Sequence, residues 1–241
     1  DLDSLNPEIW LVNAATARAV DPTRRDVSMS SIRRALALDP NNAGAIQDLG
    51  WDEQDLGEMD SALIHMRRAV RMGYRQGATP YANHFYWRRQ YDSAAAWSDS
   101  AILNSPRLPW ARETAGATAL MRGRYDDAEA FYQAALRLDE GPTRVRGLEG
   151  LAEVAAAKGD TARALKLIAD AEKLTDRKSP MDHAALAIGT AYAFIGNKES
   201  ALEWLETYRP RASLHFQLHL KRDPLLDPLR QEPRFKALLT R

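Results

Sequence analysis

The 241-residue sequence has no cysteine, no long apolar run and no excess of charge of either sign. Without cysteine the chain can form neither a disulfide bond nor a thiolate metal site. The 33 basic and 33 acidic residues cancel, so the overall charge provides no attraction to the phosphates of a nucleic acid or to an anionic membrane surface. No segment approaches the roughly 20 apolar residues of a membrane-spanning helix. We therefore expect neither a nucleic-acid partner nor direct insertion into a membrane.

The sequence also lacks a signal peptide, and it begins at Asp1 in the middle of a pattern. This start leads us to expect a fragment of a longer protein whose targeting signals lie outside it. A cysteine-free helical chain is compatible with reducing and oxidising compartments alike. The cytoplasm is our preferred expectation, and the extracytoplasmic portion of a membrane-anchored protein is the alternative.

Small residues recur along nearly the whole chain at intervals of 32 to 37 residues. They stand at Ser28, Ala62, Ala94, Ala128, Ala164 and Ala201. A second small residue follows the first five of these after seven positions, at Ala35, Ala69, Ala101, Ala135 and Ala171, and Tyr208 breaks the series. Small residues at fixed positions allow helix backbones to approach closely. A period near 34 residues predicts repeated helix–turn–helix hairpins.

We expect the whole chain, residues 1–241, to form a single domain of six such hairpins followed by a C-terminal cap. The predicted hairpins cover about 7–40, 43–74, 77–106, 109–140, 145–176 and 182–210, and the cap covers 214–241. Proline-containing segments separate hairpins, because proline lacks a backbone donor and disfavours helix at the preceding residue. They lie at residues 36–42, at 104–106, at Gly141-Pro142 and at Ser179-Pro180.

Within the hairpins, a glycine follows the first helix at four places: Gly57, Gly123, Gly159 and Gly196. Glycine readily takes the left-handed backbone conformation that ends a helix. In the third hairpin Arg89 stands at this place. We therefore expect that turn to be tighter or irregular.

Together these residues resemble a tetratricopeptide-repeat (TPR) array. The resemblance is best in the fourth repeat, at Gly116, Gly123, Tyr125, Ala128, Tyr132 and Ala135, and in the second, at Leu49, Gly50, Gly57, Ala62 and Ala69. It implies an all-α, right-handed superhelical solenoid of about six hairpins with a C-terminal capping helix. It also implies a non-enzymatic scaffold that binds a peptide or a partner helix.

The tail has a second resemblance. The segment DPLLDPLRQEPRFKALL, residues 223–239, is similar to the closing part of repeat arrays found downstream of bacterial signalling modules. Those modules are serine/threonine kinases, adenylate cyclases and winged-helix regulators, so a larger bacterial signalling or regulatory parent is implied. Asp223-Pro224 and Asp227-Pro228 are helix-start signals, because an acid caps the helix and proline fits its first position.

No residue pattern points to catalysis or to a cofactor, since the chain has neither an HExxH motif nor a phosphate-binding loop. His215 and His219 stand one helical turn apart and form a weak candidate metal site without an obvious third ligand. The alternative is that one imidazole packs against the last repeat while the other is solvated. The paired arginines, such as Arg24-Arg25 and Arg88-Arg89, alternate with acids and fit solvated helix faces better than a phosphate-binding stripe.

In the TPR family, the first helix of each hairpin lines a concave groove that receives the partner. Projected onto this groove are four tryptophans (Trp10, Trp51, Trp87, Trp110), three amides (Asn13, Gln47, Asn83) and three acids (Glu113, Glu149, Glu153). In this interpretation the tryptophans anchor a protein or peptide, the amides hold its backbone, and the acids favour a basic end. The alternative is that the tryptophans only pack between helices.

Two other functions stay open from the sequence. The first is self-association into a homodimer. In this hypothesis the tail leaves part of the aromatic surface of the sixth hairpin exposed, at Phe194, Trp204 and Tyr208. A small-ligand sensor within the superhelix is the third hypothesis, although no specific pocket is visible in the sequence.

Overall fold

A computed structural model describes residues 5–21, 24–74, 78–176, 182–208 and 214–240, with the backbone alone for residues 142, 143, 182, 208, 214 and 215. Every regular element within these ranges is a helix, and no strand occurs there. The predicted all-α fold is confirmed. Ser179 and Pro180, which were expected to separate two hairpins, lie outside the described residues.

The helices pair into six hairpins in chain order: α1 (Pro7–Val20) with α2 (Arg25–Leu38), α3 (Ala43–Asp55) with α4 (Met59–Arg71), α5 (Ala78–Trp87) with α6 (Tyr91–Asn104), α7 (Pro109–Met121) with α8 (Tyr125–Leu138), α9 (Val145–Ala157) with α10 (Thr161–Glu172), and α11 (Asp182–Phe194) with α12 (Lys198–Tyr208). A short 3-10 helix (Gly141–Arg144) leads into α9. The tail contains α13 (Leu214–Arg222), a 3-10 helix (Pro224–Leu229) and α14 (Pro233–Leu239).

The hairpins stack as a right-handed superhelical solenoid. From α1 to α12 each helix contacts the next one along the chain, and the first helices of neighbouring hairpins also touch, as α5 with α7, α7 with α9, and α9 with α11. These first helices form the inner face of the solenoid. None of the helices in the described ranges has both the length and the apolar character needed to cross a lipid bilayer.

The recurring small residues lie where helices approach most closely. The repeated alanines are at most 1% exposed, from Ala62 and Ala69 in the second hairpin to Ala164 and Ala171 in the fifth. Three glycines of first helices face a large side chain at the same separation along the chain: Gly50 faces Met66, Gly116 faces Tyr132, and Gly189 faces Leu205. A Cβ at any of these glycines would lie only 2.8 to 2.9 Å from that side chain. The spacing of small residues therefore reflects close packing between the two helices of a hairpin.

The turn of the third hairpin is regular, so the expectation of a tighter or irregular turn was wrong. Arg89 has a φ of 59°, in the same left-handed region as Gly57 and Gly123. Its amide donates to the Tyr86 carbonyl at 2.9 Å, which matches the hydrogen bond from Gly57 to the Gln54 carbonyl at 2.9 Å. An L-residue in this conformation is strained by roughly 1–2 kcal/mol. The strain is opposed by the ion pair between Arg89 and Asp227 of the tail, at 2.8 Å.

Many charged side chains pair with a partner about one repeat away. Such pairs join neighbouring hairpins at Arg18–Asp48, Arg25–Asp55, Arg88–Asp60, Arg122–Asp92 and Lys158–Asp126, all between 2.7 and 3.0 Å. The pairs Arg88–Asp60, Arg122–Asp92 and Lys158–Asp126 are exposed, so each contributes little to the stability of the fold. Through these pairs, the basic side chains have carboxylate partners within the array itself.

The tail covers the end of the array with only part of its length. Phe235 and Leu238 of α14 and Leu226 and Leu229 of the 3-10 helix are buried in the core of the last hairpins. Asp223 caps the 3-10 helix by accepting from the Leu225 amide at 3.0 Å, as its Asp-Pro pair predicted. The prediction for Asp227-Pro228 was wrong, because this pair lies inside the same 3-10 helix and starts no helix. The helix α13, by contrast, contacts α3 as well as α11 and α14. It therefore lies inside the solenoid rather than at its end.

Candidate functional site

The helix α13 occupies part of the inner face of the solenoid. Leu218 is buried against Tyr86 and Trp87 of α5, and the His219 ring meets Trp87 edge-on with 4.8 Å between ring centroids. The Tyr86 hydroxyl donates to Asp223 Oδ1 at 3.4 Å. These contacts join residues about 130 positions apart. The third hairpin is therefore tied directly to the tail.

A cavity of about 710 Å³ remains between α13 and the first helices of the solenoid. Its walls come from α3, α5, α7 and α11, and from Phe216 and His219 of α13. Trp51 and Trp110 lie on this cavity with their rings edge-on, 6.1 Å apart and at 75°. They are 38% and 37% exposed. Two large aromatic side chains thus remain accessible at a concave site.

Most of the cavity wall is apolar, with Pro80, Leu108, Pro109 and Leu186 beside the aromatic rings. A few polar groups interrupt it. Thr114 donates to Asn83 Oδ1 at 2.8 Å. Gln54 is 3% exposed, and its Oε1 accepts no hydrogen bond from the described part of the chain. An apolar cavity with a small number of placed polar groups is the usual form of a binding site.

A second, smaller cavity of about 40 Å³ adjoins the first. Five residues line both cavities: Asn83, Glu113, Thr114, Arg146 and His219. Arg146 donates from Nε to Glu113 Oε2 at 2.8 Å. Glu149, Glu153 and Asp223 line only the smaller cavity, so this end of the site is rich in carboxyl groups.

Burial perturbs the carboxyl groups of the smaller cavity. It raises the pKa of Glu149 to about 8, and the nearby Arg146 offsets only part of this effect. Burial raises the pKa of Glu153 well above its ordinary value, and the neighbouring Glu149 and Asp223 raise it further. Burial also raises the pKa of Glu113 despite its contact with Arg146. Burial therefore disfavours the charged forms of Glu149 and Glu153, and an approaching positive charge would favour them.

Solved structures of similar shape include TTC0263 of Thermus thermophilus, described as a thermophilic TPR protein, with 22% identity and a TM-score of 0.59 over 70% of this chain and 91% of that one. PilW, described as a type IV pilus biogenesis factor, has 19% identity and a TM-score of 0.65, covering 86% and 96%. PilF of Pseudomonas aeruginosa has 15% identity and a TM-score of 0.62, covering 89% and 97%. The fold is that of a TPR array. No family model matches the chain, and no curated protein sequence matches it significantly.

The TPR inner face brings together seven of the ten residues projected onto it. Trp51, Asn83, Trp110 and Glu113 line the larger cavity, and Trp87, Glu149 and Glu153 line the smaller one. Within this set, Trp87 is 4% and Glu153 1% exposed, because α13 covers this part of the TPR groove.

The other three projected residues line neither cavity. Asn13 is exposed on α1, and Trp10 of the same helix lies beneath the guanidinium of Arg34, 5.8 Å from it. Gln47 is 2% exposed, and neither of its side-chain polar atoms is hydrogen-bonded within the described residues. The helix α1 therefore takes no part in the cavity, and the first hairpin contributes only Arg25 of α2 to its wall.

The candidate metal pair is not assembled as a site in the described residues. His219 is 7% exposed, with its Nδ1 3.4 Å from Asp223 Oδ2. The side chain of His215 lies outside the described residues. Among the residues that are described, no group of three histidine, aspartate or glutamate side chains is placed to hold a metal ion.

The residues of the site that were not predicted to lie on the groove include Arg146, Phe216 and Asp223. A signal existed for Arg146, because it stands 33 residues after Glu113, about one repeat, with the opposite charge. Asp223 was recognised as a helix cap and as one of the carboxylates nearest to the candidate histidine pair, but not as part of the groove. No local pattern indicated that Phe216 faces the groove, since this depends on the path of the tail through the array.

Proposed function

We propose that the chain is a non-enzymatic protein-interaction module that receives a short partner segment in the larger cavity. The accessible Trp51–Trp110 pair carries this proposal. Tryptophan buries much apolar surface and is enriched among the residues that dominate binding energy. A volume of about 710 Å³ lies in the range of roughly 300–1,000 Å³ that is typical of binding cavities.

The position of α13 limits what can bind. An extended peptide that follows the whole inner face would meet Leu218 and His219, which are packed against Trp87. The free part of the groove has room for a few residues, such as a chain end or a turn. Asn83 uses its Oδ1 to accept from Thr114, and the amide nitrogen of the same side chain can donate to a partner carbonyl.

The parent that we propose is a larger bacterial signalling or regulatory protein, in which the TPR array provides the interaction surface. The similarity of residues 223–239 to the closing segment of such arrays supports this context. The ion pairs between hairpins engage many of the arginines, which favours a protein partner over a nucleic acid.

A small-ligand sensor is the second candidate function. The smaller cavity, which adjoins the larger one and is lined by buried polar groups, favours it. Self-association has less support. Trp204, whose exposure was expected to promote a dimer, is 2% exposed and donates to Glu172 Oε1 at 3.0 Å. The side chain of Tyr208 lies outside the described residues.

A phage-displayed library of random dodecapeptides tests the proposed function. Peptides selected on the wild-type chain should bind about thirtyfold more weakly to Trp51→Ala and Trp110→Ala, since a central tryptophan contributes about 2 kcal/mol or more. Trp10→Ala is the matched control, because Trp10 lines neither cavity, and it should bind as the wild type does. Each variant is first compared with the wild type by circular dichroism. Unchanged binding to both folded cavity variants would show that the partner does not enter there.

A further inference from the structure

The two adjoining cavities have more acidic than basic groups around them. Six carboxyl groups line them: Asp55, Glu113, Asp139, Glu149, Glu153 and Asp223. Among the described residues only two guanidinium groups, Arg25 and Arg146, line the same cavities, and both already have a carboxylate partner, Arg25 with Asp55 at 2.7 Å and Arg146 with Glu113 at 2.8 Å. The described part of the site therefore has more carboxyl groups than guanidinium groups to pair with them.

Two buried acceptors in these cavities also lack a donor. Glu153 is 1% exposed, and its Oε1 receives no hydrogen bond within the described residues. The same is true of Gln54 Oε1 in the wall of the larger cavity. A buried acceptor without a donor destabilises a protein by about 1–3 kcal/mol. A ligand with several N–H groups and a positive charge would satisfy both deficits.

We propose that the partner segment carries an arginine whose guanidinium passes the Trp51–Trp110 pair and binds Glu149 and Glu153 in the smaller cavity. This inference rests on the proposed function, because it names the chemistry of the segment that enters the site. A guanidinium offers five N–H donors in a planar fork that matches carboxylates, and it stacks on aromatic faces. Two carboxyl groups one helical turn apart on α9 can share such a fork.

The smaller cavity has space beside its acids that a polar group can enter. Its volume of about 40 Å³ exceeds the roughly 10–15 Å³ needed for a water molecule. The cavity adjoins the larger one through residues that line both, among them Thr114 and Asn83. A long side chain can therefore keep its apolar stem beside the tryptophans while its charged end lies among the acids.

Peptide pools with a fixed central residue test the arginine directly. The pools share random flanking positions and differ only in a central arginine, lysine or citrulline, the last being a neutral group of nearly the same shape as arginine. Binding to the full chain is measured by fluorescence polarisation. We expect the arginine pool to bind at least tenfold more tightly than the citrulline pool, with lysine between them.

Two isosteric variants and one control assign the effect to the acids. Glu153→Gln and Glu149→Gln should each reduce the preference for arginine over citrulline at least threefold, and the second variant serves if the first does not fold. Glu58→Gln is the matched control, since Glu58 is exposed at the turn after α3 and lines neither cavity. It should retain the full preference. Agmatine, a small guanidinium compound, is titrated in parallel to determine whether a guanidinium group binds without a peptide.

The outcomes separate this inference from the proposed function. Equal binding of the arginine and citrulline pools, with binding still dependent on Trp51, overturns the arginine site and leaves the interaction module standing. Binding of agmatine that depends on Glu153, without Trp51-dependent binding of any pool, supports the guanidinium site and transfers it to the small-ligand function. Binding of neither overturns both.

Discussion

Replacement of Gly150 by alanine should destabilise the TPR array at the contact between its fourth and fifth hairpins. The Tyr132 ring is 3% exposed and lies between Gly116 of its own hairpin and Gly150 of the next. A Cβ on Gly150 would be 2.1 Å from Tyr132 Cε1, and a Cβ on Gly116 would be 2.9 Å from Cε2. The ring therefore has no room to move away from either side.

The magnitude follows from two opposing effects. Overpacking of a buried contact costs about 1–3 kcal/mol, and the upper end applies because the ring is confined on both sides. Alanine gains about 1 kcal/mol over glycine in a helix interior. The net loss is about 2 kcal/mol, which lowers the thermal midpoint of a chain of this size by about 4–8 °C. Thermal unfolding followed by circular dichroism measures it.

Gly44→Ala is the matched control for this substitution. Gly44 is also helical, but a Cβ there would meet its nearest neighbours at 3.4 and 3.7 Å, which is ordinary contact. This variant should be as stable as the wild type or up to about 1 kcal/mol more stable. In addition, Tyr132→Leu should cost less in the Gly150→Ala background than alone, because it removes the ring that clashes. A Gly150→Ala chain that melts at or above the wild-type temperature would refute the packing argument.

Two further predictions concern His84 and Arg89. His84 is fully buried without a hydrogen bond to either ring nitrogen within the described residues, and burial, with the nearby Arg88 and Arg222 and despite Asp60, lowers its pKa to about 4. The unfolded chain binds the proton near pH 6.5, so the free energy of unfolding should fall as pH decreases from 6.5 to 4, by up to about 1.4 kcal/mol per pH unit. Urea titrations should show a flatter pH dependence for His84→Leu, and identical slopes would contradict the assignment. Arg89→Gly relieves the left-handed strain while it loses an exposed ion pair, so it should unfold at or above the wild-type midpoint, whereas Arg89→Ala keeps the strain and should be about 1 kcal/mol less stable than the glycine variant. The reverse order would show that the ion pair dominates.

The solenoid could be predicted because its determinants are local and repeated. The alanine at Ala128 and the glycine at Gly123 report on contacts within one hairpin, and similar contacts recur along the array. The turn at Arg89 was misjudged because a residue other than glycine can take the left-handed conformation at a cost of roughly 1–2 kcal/mol, as Arg89 does with a φ of 59°. The absence of glycine therefore did not change the form of the turn.

The binding site could be predicted only in part. The projection of first helices placed Trp51, Trp110 and Glu113 on a common surface because a TPR hairpin has a fixed helical period. It could not show that Trp87 would be covered, since this depends on the return of α13 into the groove. Nor could it separate Trp10 from the cavity, because the position of the cavity along the inner face depends on where α13 lies.

The contacts between the tail and the third hairpin have a consequence for how this chain can change during evolution. Repeat proteins commonly gain or lose whole units, because each unit touches only its neighbours. Here an insertion or deletion between α5 and α12 would rotate and displace Tyr86 and Arg89 relative to Asp223 and Asp227, which they now contact. The number of units in this interval is thereby restricted, and the contact of α13 with α3 extends the restriction to the second hairpin. Duplication before α3 leaves these contacts intact.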